Sequence, residues 1–141
     1  MQLTLLERAL NRRLMRTPRF FCLLFGGTMR DFAATLLAGL LYGDFPDTLL
    51  EHLRGQGKLT ADIQGFLRWN ENGSLVFHDW DQKKKYLPYF NILKTDAAEA
   101  EILTGLSDRA AAARQLIAWG VPEVLISYNT EMLAYDGGRM A

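Results

Sequence analysis

LKTDAAEAEILTG, running from Leu93 to Gly105, puts two carboxylates, Asp96 and Glu99, on the first turn of a helix that follows a strand. In an α/β sheet, strand carboxyl ends meet helix N-termini at one rim, and ligands collect there. Read outward from this string, the stretch from Ala61 to Asp136 runs strand, turn, strand, helix, strand, helix, strand. Strands alternating with helices at this spacing predict an α/β fold: a layered, mainly parallel sheet with flanking helices and right-handed crossovers.

The elements on either side follow from local signals. Phe20 to Phe25 is a continuous apolar run ended by Gly26-Gly27, which suits a strand buried on both faces. Residues 33–42 fit either a helix or a strand. A short surface helix is expected after Pro46, burying Leu49, Leu50 and Leu53 and stopping at Gly55 and Gly57. Residues 58–63 read as a strand. Residues 66–69 and 74–77 flank Asn70-Glu71-Asn72-Gly73, whose Asn-Gly step signals a hairpin. Asp79 or Asp81 is expected to cap a helix through Lys83, Lys84 and Lys85, and Pro88 to end it. Residues 91–94 then form a strand, and residues 97–103 a helix closed by Gly105. Asp108 caps the next helix, which turns Ala110, Ala113, Leu116 and Ile117 inward until Gly120. Residues 124–127 are a strand, and residues 132–135 its continuation or an antiparallel neighbour.

Composition sets the outer limits. At 141 residues and 49% hydrophobic content the chain fits one domain, long enough to bury about two-thirds of its unfolded surface. Sixteen basic residues balance sixteen acidic ones, so no overall field draws it to nucleic acid or an anionic membrane. Any phosphate must be held locally. The single cysteine, Cys22, has no internal partner and lies in an apolar run, as a buried inert thiol of a reducing cytoplasm would. Residues 1–20 carry an amphipathic-helix pattern among arginines, without the cleavage site of a signal peptide. Glycines and charges interrupt residues 20–41 before the ~18 apolar residues of a membrane span.

Two chemistries fit Asp96 and Glu99. Three residues apart at a helix start, they match a capping box, each side chain satisfying the other's backbone amide. The same carboxylates also suit a hydrated magnesium ion, which keeps several waters and takes one or two protein oxygens. Other polar clusters read as structural. His52 and His78 lie on different elements without metal-pair spacing, and Lys83 to Lys85 reads as a solvated helix face. Gly26-Gly27 lacks the lysine of a phosphate-binding loop, and no GxGxxG occurs.

Three segments, in order and suitably separated, resemble the middle of a ribokinase-like (PfkB-type) carbohydrate kinase across residues 41–138. ADIQGFLRW from Ala61 resembles a strand-end motif reading Asp, any residue, Asn, then Arg. LKTDAAEAEILTG resembles Lys-Pro-Asn-x-x-Glu-Ala leading to Leu-Thr-Gly. WGVPEVLISYNTEMLAYDGG from Trp119 resembles a strand and loop written Val-x-Val-Thr followed by glycines.

The resemblance implies an ATP-dependent kinase that transfers the γ-phosphoryl group to a sugar hydroxyl with Mg2+. Glu99 then belongs to the magnesium and phosphate network, with Asp96 where the family usually has Asn. Ser127 stands where the family has Thr near the nucleotide. Asp62, Gln64 and Arg68 fall near the strand-end motif, with Gln in place of Asn and the Arg displaced. The family's catalytic base and anion hole lie in a Gly-Ala-Gly-Asp or similar turn opening a late helix, and no such turn precedes Ala141. The expectation is therefore a central fragment, inactive or nearly so alone, that self-associates through uncovered strand edges and faces. The alternatives are a non-catalytic nucleotide-sensing or assembly module that keeps the sheet, and an unrelated parallel-sheet enzyme in which the acidic pair only caps.

Overall fold

The structure, a computed structural model, describes residues 21–25 and 34–141. The helix read in residues 1–20, the Gly26-Gly27 pair and the burial expected of the Cys22 side chain lie outside the described residues.

Among the described residues six strands form the main sheet: β1 (Phe21–Phe25), β2 (Ala34–Ala38), β3 (Lys58–Asp62), β6 (Ile92–Asp96), β7 (Glu123–Tyr128) and β8 (Glu131–Tyr135), hydrogen-bonded in that order. The four central strands run parallel, while β1 and β8 pair antiparallel at the two sides. A separate hairpin, β4 (Arg68–Glu71) with β5 (Ser74–Phe77), is inserted after β3. The helices are α1 (Asp47–Leu53), the single turn α2 (Gln64–Leu67), α3 (Lys83–Tyr86), α4 (Ala97–Thr104) and α5 (Arg109–Ala118). The mainly parallel α/β architecture expected from the sequence is present. None of the described helices is long and apolar enough to cross a membrane.

Period-2 alternation decides what each strand buries. Leu37, Leu59, Ala61, Leu93, Thr95, Val124 and Ile126 are buried on one side of the sheet. There α4 and α5 pack on the β6 to β8 half, closing the core with Ala100, Leu103, Ala112, Ala113 and Leu116. The opposite side carries Leu36, Thr60, Asp62, Ile92, Lys94 and Leu125, all partly or fully exposed. A second part of the core is aromatic: the Phe66 ring packs at 5.3 Å from Phe45, 4.5 Å from Trp80 and 5.8 Å from Phe90.

Several local expectations need correction. The segment left between helix and strand is the strand β2, because it pairs with β1 on one side and β3 on the other. Residues 64–67 form a helical turn that takes up the first half of the strand expected at residues 66–69, so β4 starts only at Arg68. That turn tucks Gly65, Phe66 and Leu67 into the interior. The hairpin then closes on Asn72-Gly73, both in the left-handed region (φ 51° and 86°), the geometry of a two-residue primed turn. Neither Asp79 nor Asp81 caps α3. Its first flanking residue is Gln82, without a side-chain cap, and Asp79 instead accepts from the Trp80 amide and from Lys83. Pro88 sits inside a 3-10 turn, Leu87–Tyr89, near the start where no amide is needed, so the chain leaves at Phe90. Residues 131–135 are the antiparallel neighbour of β7.

Candidate functional site

β6 ends at Asp96 and α4 begins at Ala97, so a strand runs straight into a helix at the carboxyl rim of the parallel strands. Asp96 has extended backbone angles and its Oδ1 accepts from the Glu99 amide at 2.8 Å. Glu99 Oε2 accepts from the Asp96 amide at 3.0 Å and from the Thr95 hydroxyl at 3.5 Å. The capping box is thus fully formed. The two carboxylates differ in surroundings: Asp96 is exposed, whereas Glu99 is only 5% exposed.

The neighbouring strand ends supply the rest. Asp96 is in register with Ser127 of β7, whose hydroxyl donates to the Thr95 carbonyl at 3.4 Å. Lys94, two residues before Asp96 on the same side of β6, is in register with Asp62 at the end of β3. Its Nζ lies 2.6 Å from Asp62 Oδ2. The Gln64 amide donates to Asp62 Oδ1 at 3.2 Å, and Arg68 Nη2 donates to Gln64 Oε1 at 2.7 Å. The structure therefore brings Asp62, Gln64, Asp96, Glu99 and Ser127 to one rim, with Arg68 tied to it through Gln64. Lys94 and Thr95 were missed. The clue to Lys94 is its position two before Asp96, which in a strand puts both side chains on one face.

Three carboxylates face one ammonium here. Burial, first of all, pushes the Glu99 carboxyl above its usual range; the charges of Asp96 and Asp62 add to this, against the hydrogen bond from the Asp96 amide and the pull of Lys94. The hydrogen bond to Asp62 holds Lys94 above its usual range, helped by Glu99 and Asp96. Among the described residues no cluster of three or more His, Cys, Asp or Glu side chains is arranged to enclose a metal. What the rim offers is an exposed carboxylate with excess negative charge behind it, which fits a magnesium ion that retains most of its waters.

The remaining polar groups fall elsewhere. His78 Nε2 is 2.6 Å from Glu71 on the hairpin, and His52 lies on α1. Of Lys83 to Lys85, Lys84 and Lys85 are exposed as a solvated face would be, while Lys83 is drawn in. Lys83 also donates to the Leu103 carbonyl, Lys83 and Lys84 lie over the Trp119 ring, and Lys85 pairs with Glu51. A cavity of about 260 Å³ lined by Glu123, Tyr135, Asp136 and Arg139 opens near the amino end of β7, the pole opposite the carboxylates.

No family model and no curated protein matches the chain. Solved structures do. A pyrophosphate-dependent kinase in the ribokinase family, determined as a sulfate complex, is 38% identical, with a TM-score of 0.72 over 76% of this chain and 38% of its own. A pyrophosphate-dependent kinase in the ribokinase family, complexed with a pyrophosphate analog and myo-inositol, is 36% identical, with a TM-score of 0.73 over 80% of this chain and 41% of its own. The Arabidopsis thaliana ribokinase complexed with ribose and ATP is 16% identical, with a TM-score of 0.53 over 72% of this chain and 32% of its own, a likeness of fold alone. The chain thus spans about two-fifths of the length of the two pyrophosphate-dependent structures it matches.

Proposed function

Because the chain has the ribokinase-like α/β fold and resembles kinases of the ribokinase family, we propose that it forms the phosphate-donor and metal side of a small-molecule kinase. The reaction is transfer of a phosphoryl group to a hydroxyl of a sugar or cyclitol. The acceptor oxygen forms a bond to phosphorus, the bridging P–O bond of the donor breaks, and the hydroxyl proton passes to a base outside the residues named here.

The observation that carries this reading is the convergence of Asp62, Asp96, Glu99 and Ser127 on the carboxyl rim of the sheet, in a chain 38% identical to such a kinase over 76% of its length. Asp96, with Glu99 behind it, would hold magnesium, and the ion would supply neutralisation of charge on the donor's phosphates. The capping box fixes both carboxylates before any ligand arrives, so no ordering is needed on binding. Glu99 stands close behind Asp96, and Lys94 limits the repulsion among the carboxylates. Ser127 and Gln64 supply neutral hydrogen bonds to donor oxygens.

ATP is the donor implied by the sequence resemblance, while the two structures of highest quoted identity are those of pyrophosphate-dependent kinases. The group common to both donors is a magnesium-bound diphosphate, and we assign the rim to it. Soluble residence in a reducing cytoplasm and no role for nucleic acid or membrane complete the proposal, on the single cysteine and the balanced charge.

Calorimetry of the 141-residue chain with magnesium and either ATP or pyrophosphate tests it. Heat of binding that needs magnesium and is lost in Glu99→Gln is expected, and the tighter donor identifies the nucleotide requirement. Absence of binding for both donors overturns the reading.

A further inference from the structure

Three cationic side chains among the described residues are drawn in from full exposure: Arg68, Lys83 and Arg109. Lys83 is held by Asp79 and Arg109 by Glu131. Arg68 has no carboxylate partner among the described residues. Its Nη2 rests on the neutral Gln64 oxygen at 2.7 Å, its guanidinium carbon lies 5.4 Å from the centre of the Phe77 ring, and its Nε is buried with no hydrogen-bond partner.

This arrangement is costly for stability alone. A buried N–H without an acceptor loses its hydration, and a charge drawn from water without a counter-ion loses more. A neutral acceptor on one edge and an aromatic face across the strand pair fix the plane of the guanidinium while leaving its charge uncompensated. The buried Nε is closed to a ligand, but Nη1 has no hydrogen bond among the described residues, and the Nη1–Nη2 end of a guanidinium held in this way suits an oxyanion. Location agrees: Gln64 connects Arg68 to Asp62 and so to Lys94, the row of groups along the carboxyl rim.

We propose that Arg68 is an anion-binding residue of the rim that takes a phosphate group of the bound ligand. The source of that phosphate, donor or phosphorylated acceptor, rests on the kinase reading above; the anion site itself rests on the uncompensated guanidinium.

Magnesium-free calorimetry of the full chain with inorganic phosphate, pyrophosphate and a myo-inositol phosphate tests this. Arg68→Gln is expected to weaken binding at least roughly tenfold, and Arg68→Lys to keep part of it as a point charge without the fork. Gln64→Glu places a carboxylate on the guanidinium and is expected to weaken binding with the arginine still present. This second variant carries the test if circular dichroism shows Arg68→Gln to be unfolded. Preference for pyrophosphate assigns the phosphate to the donor, and preference for the inositol phosphate assigns it to the product; both support the site. A wild-type chain that binds none of the three overturns it, as do folded variants that bind like wild type. Failure of the magnesium-dependent experiment with Glu99→Gln leaves this result untouched, so the two proposals fail separately.

Discussion

Gly39 and Gly65 touch backbone to backbone: a Cβ on Gly65 would lie 2.8 Å from the Cα of Gly39. Gly65 has an ordinary φ and sits in a helical turn, where alanine is normally favoured by about 1 kcal/mol. The contact reverses that preference. Gly65→Ala should destabilise the chain by about 1–3 kcal/mol through overpacking, measured by urea unfolding. Equal or greater stability would mean that the loop after β2 does not press on α2.

Asn is as good an N-cap as Asp, while Ala is not. Asp96→Asn should therefore unfold within about 0.5 kcal/mol of wild type, and Asp96→Ala should cost about 1 kcal/mol. Denaturant midpoints of the two variants separate the cap from any role of the charge. Matching losses in both would show that charge, rather than the acceptor oxygen, holds the start of α4.

Burial and the nearby carboxylates raise the Glu99 carboxyl above its ordinary value of 4.5. Between the two values the folded chain keeps a proton that the unfolded chain has released. This group's contribution to stability therefore falls as pH climbs through that window and stays lower above it. Glu99→Gln cannot titrate there and retains an oxygen for the Asp96 amide. Its stability relative to wild type should rise from acid toward neutral pH; a flat difference across denaturant titrations would exclude the charge penalty.

The Lys94–Asp62 pair is partly solvated, with 47% of the Lys94 side chain and 25% of the Asp62 side chain exposed. Exposed pairs are worth about 0–1 kcal/mol. Asp62→Asn should accordingly leave the unfolding midpoint almost unchanged. A loss well above that range would mean that Asp62 is needed to turn the chain into α2.

Leu36, Leu40, Tyr42, Leu75 and Phe77 are large apolar side chains left exposed on β2, the loop after it and β5, and Tyr128, Met132 and Met140 are exposed near β8. Self-association is expected on this surface. Sedimentation velocity should show dimers or larger species with rising concentration, reduced by the pair Leu75→Ser and Phe77→Ser. A compact monomer at every concentration would refute it.

The sheet was legible because its signals are local: alternating burial in β6 and β7, the Asp108 cap, the glycine after α4. The capping box was legible for the same reason, since three-residue spacing defines it. Residues 66 and 67 were misread as strand because the conformation of their turn depends on Gly39 and on the Phe45, Trp80 and Phe90 rings, none of which is near in sequence. Lys83 was misread because it is held by Asp79, Trp119 and the Leu103 carbonyl, and two of these come from later helices or their ends. At the rim, Asp62 and Lys94 are 32 positions apart, and only strand register shows that they meet.

Ala97 follows Asp96 with no residue between strand and helix, and the capping box ties the first turn of α4 to the end of β6 by two hydrogen bonds. Tilting α4 at that joint would break both. The acidic edge is therefore an anvil, and any clamping motion around a ligand must be made by whatever faces it.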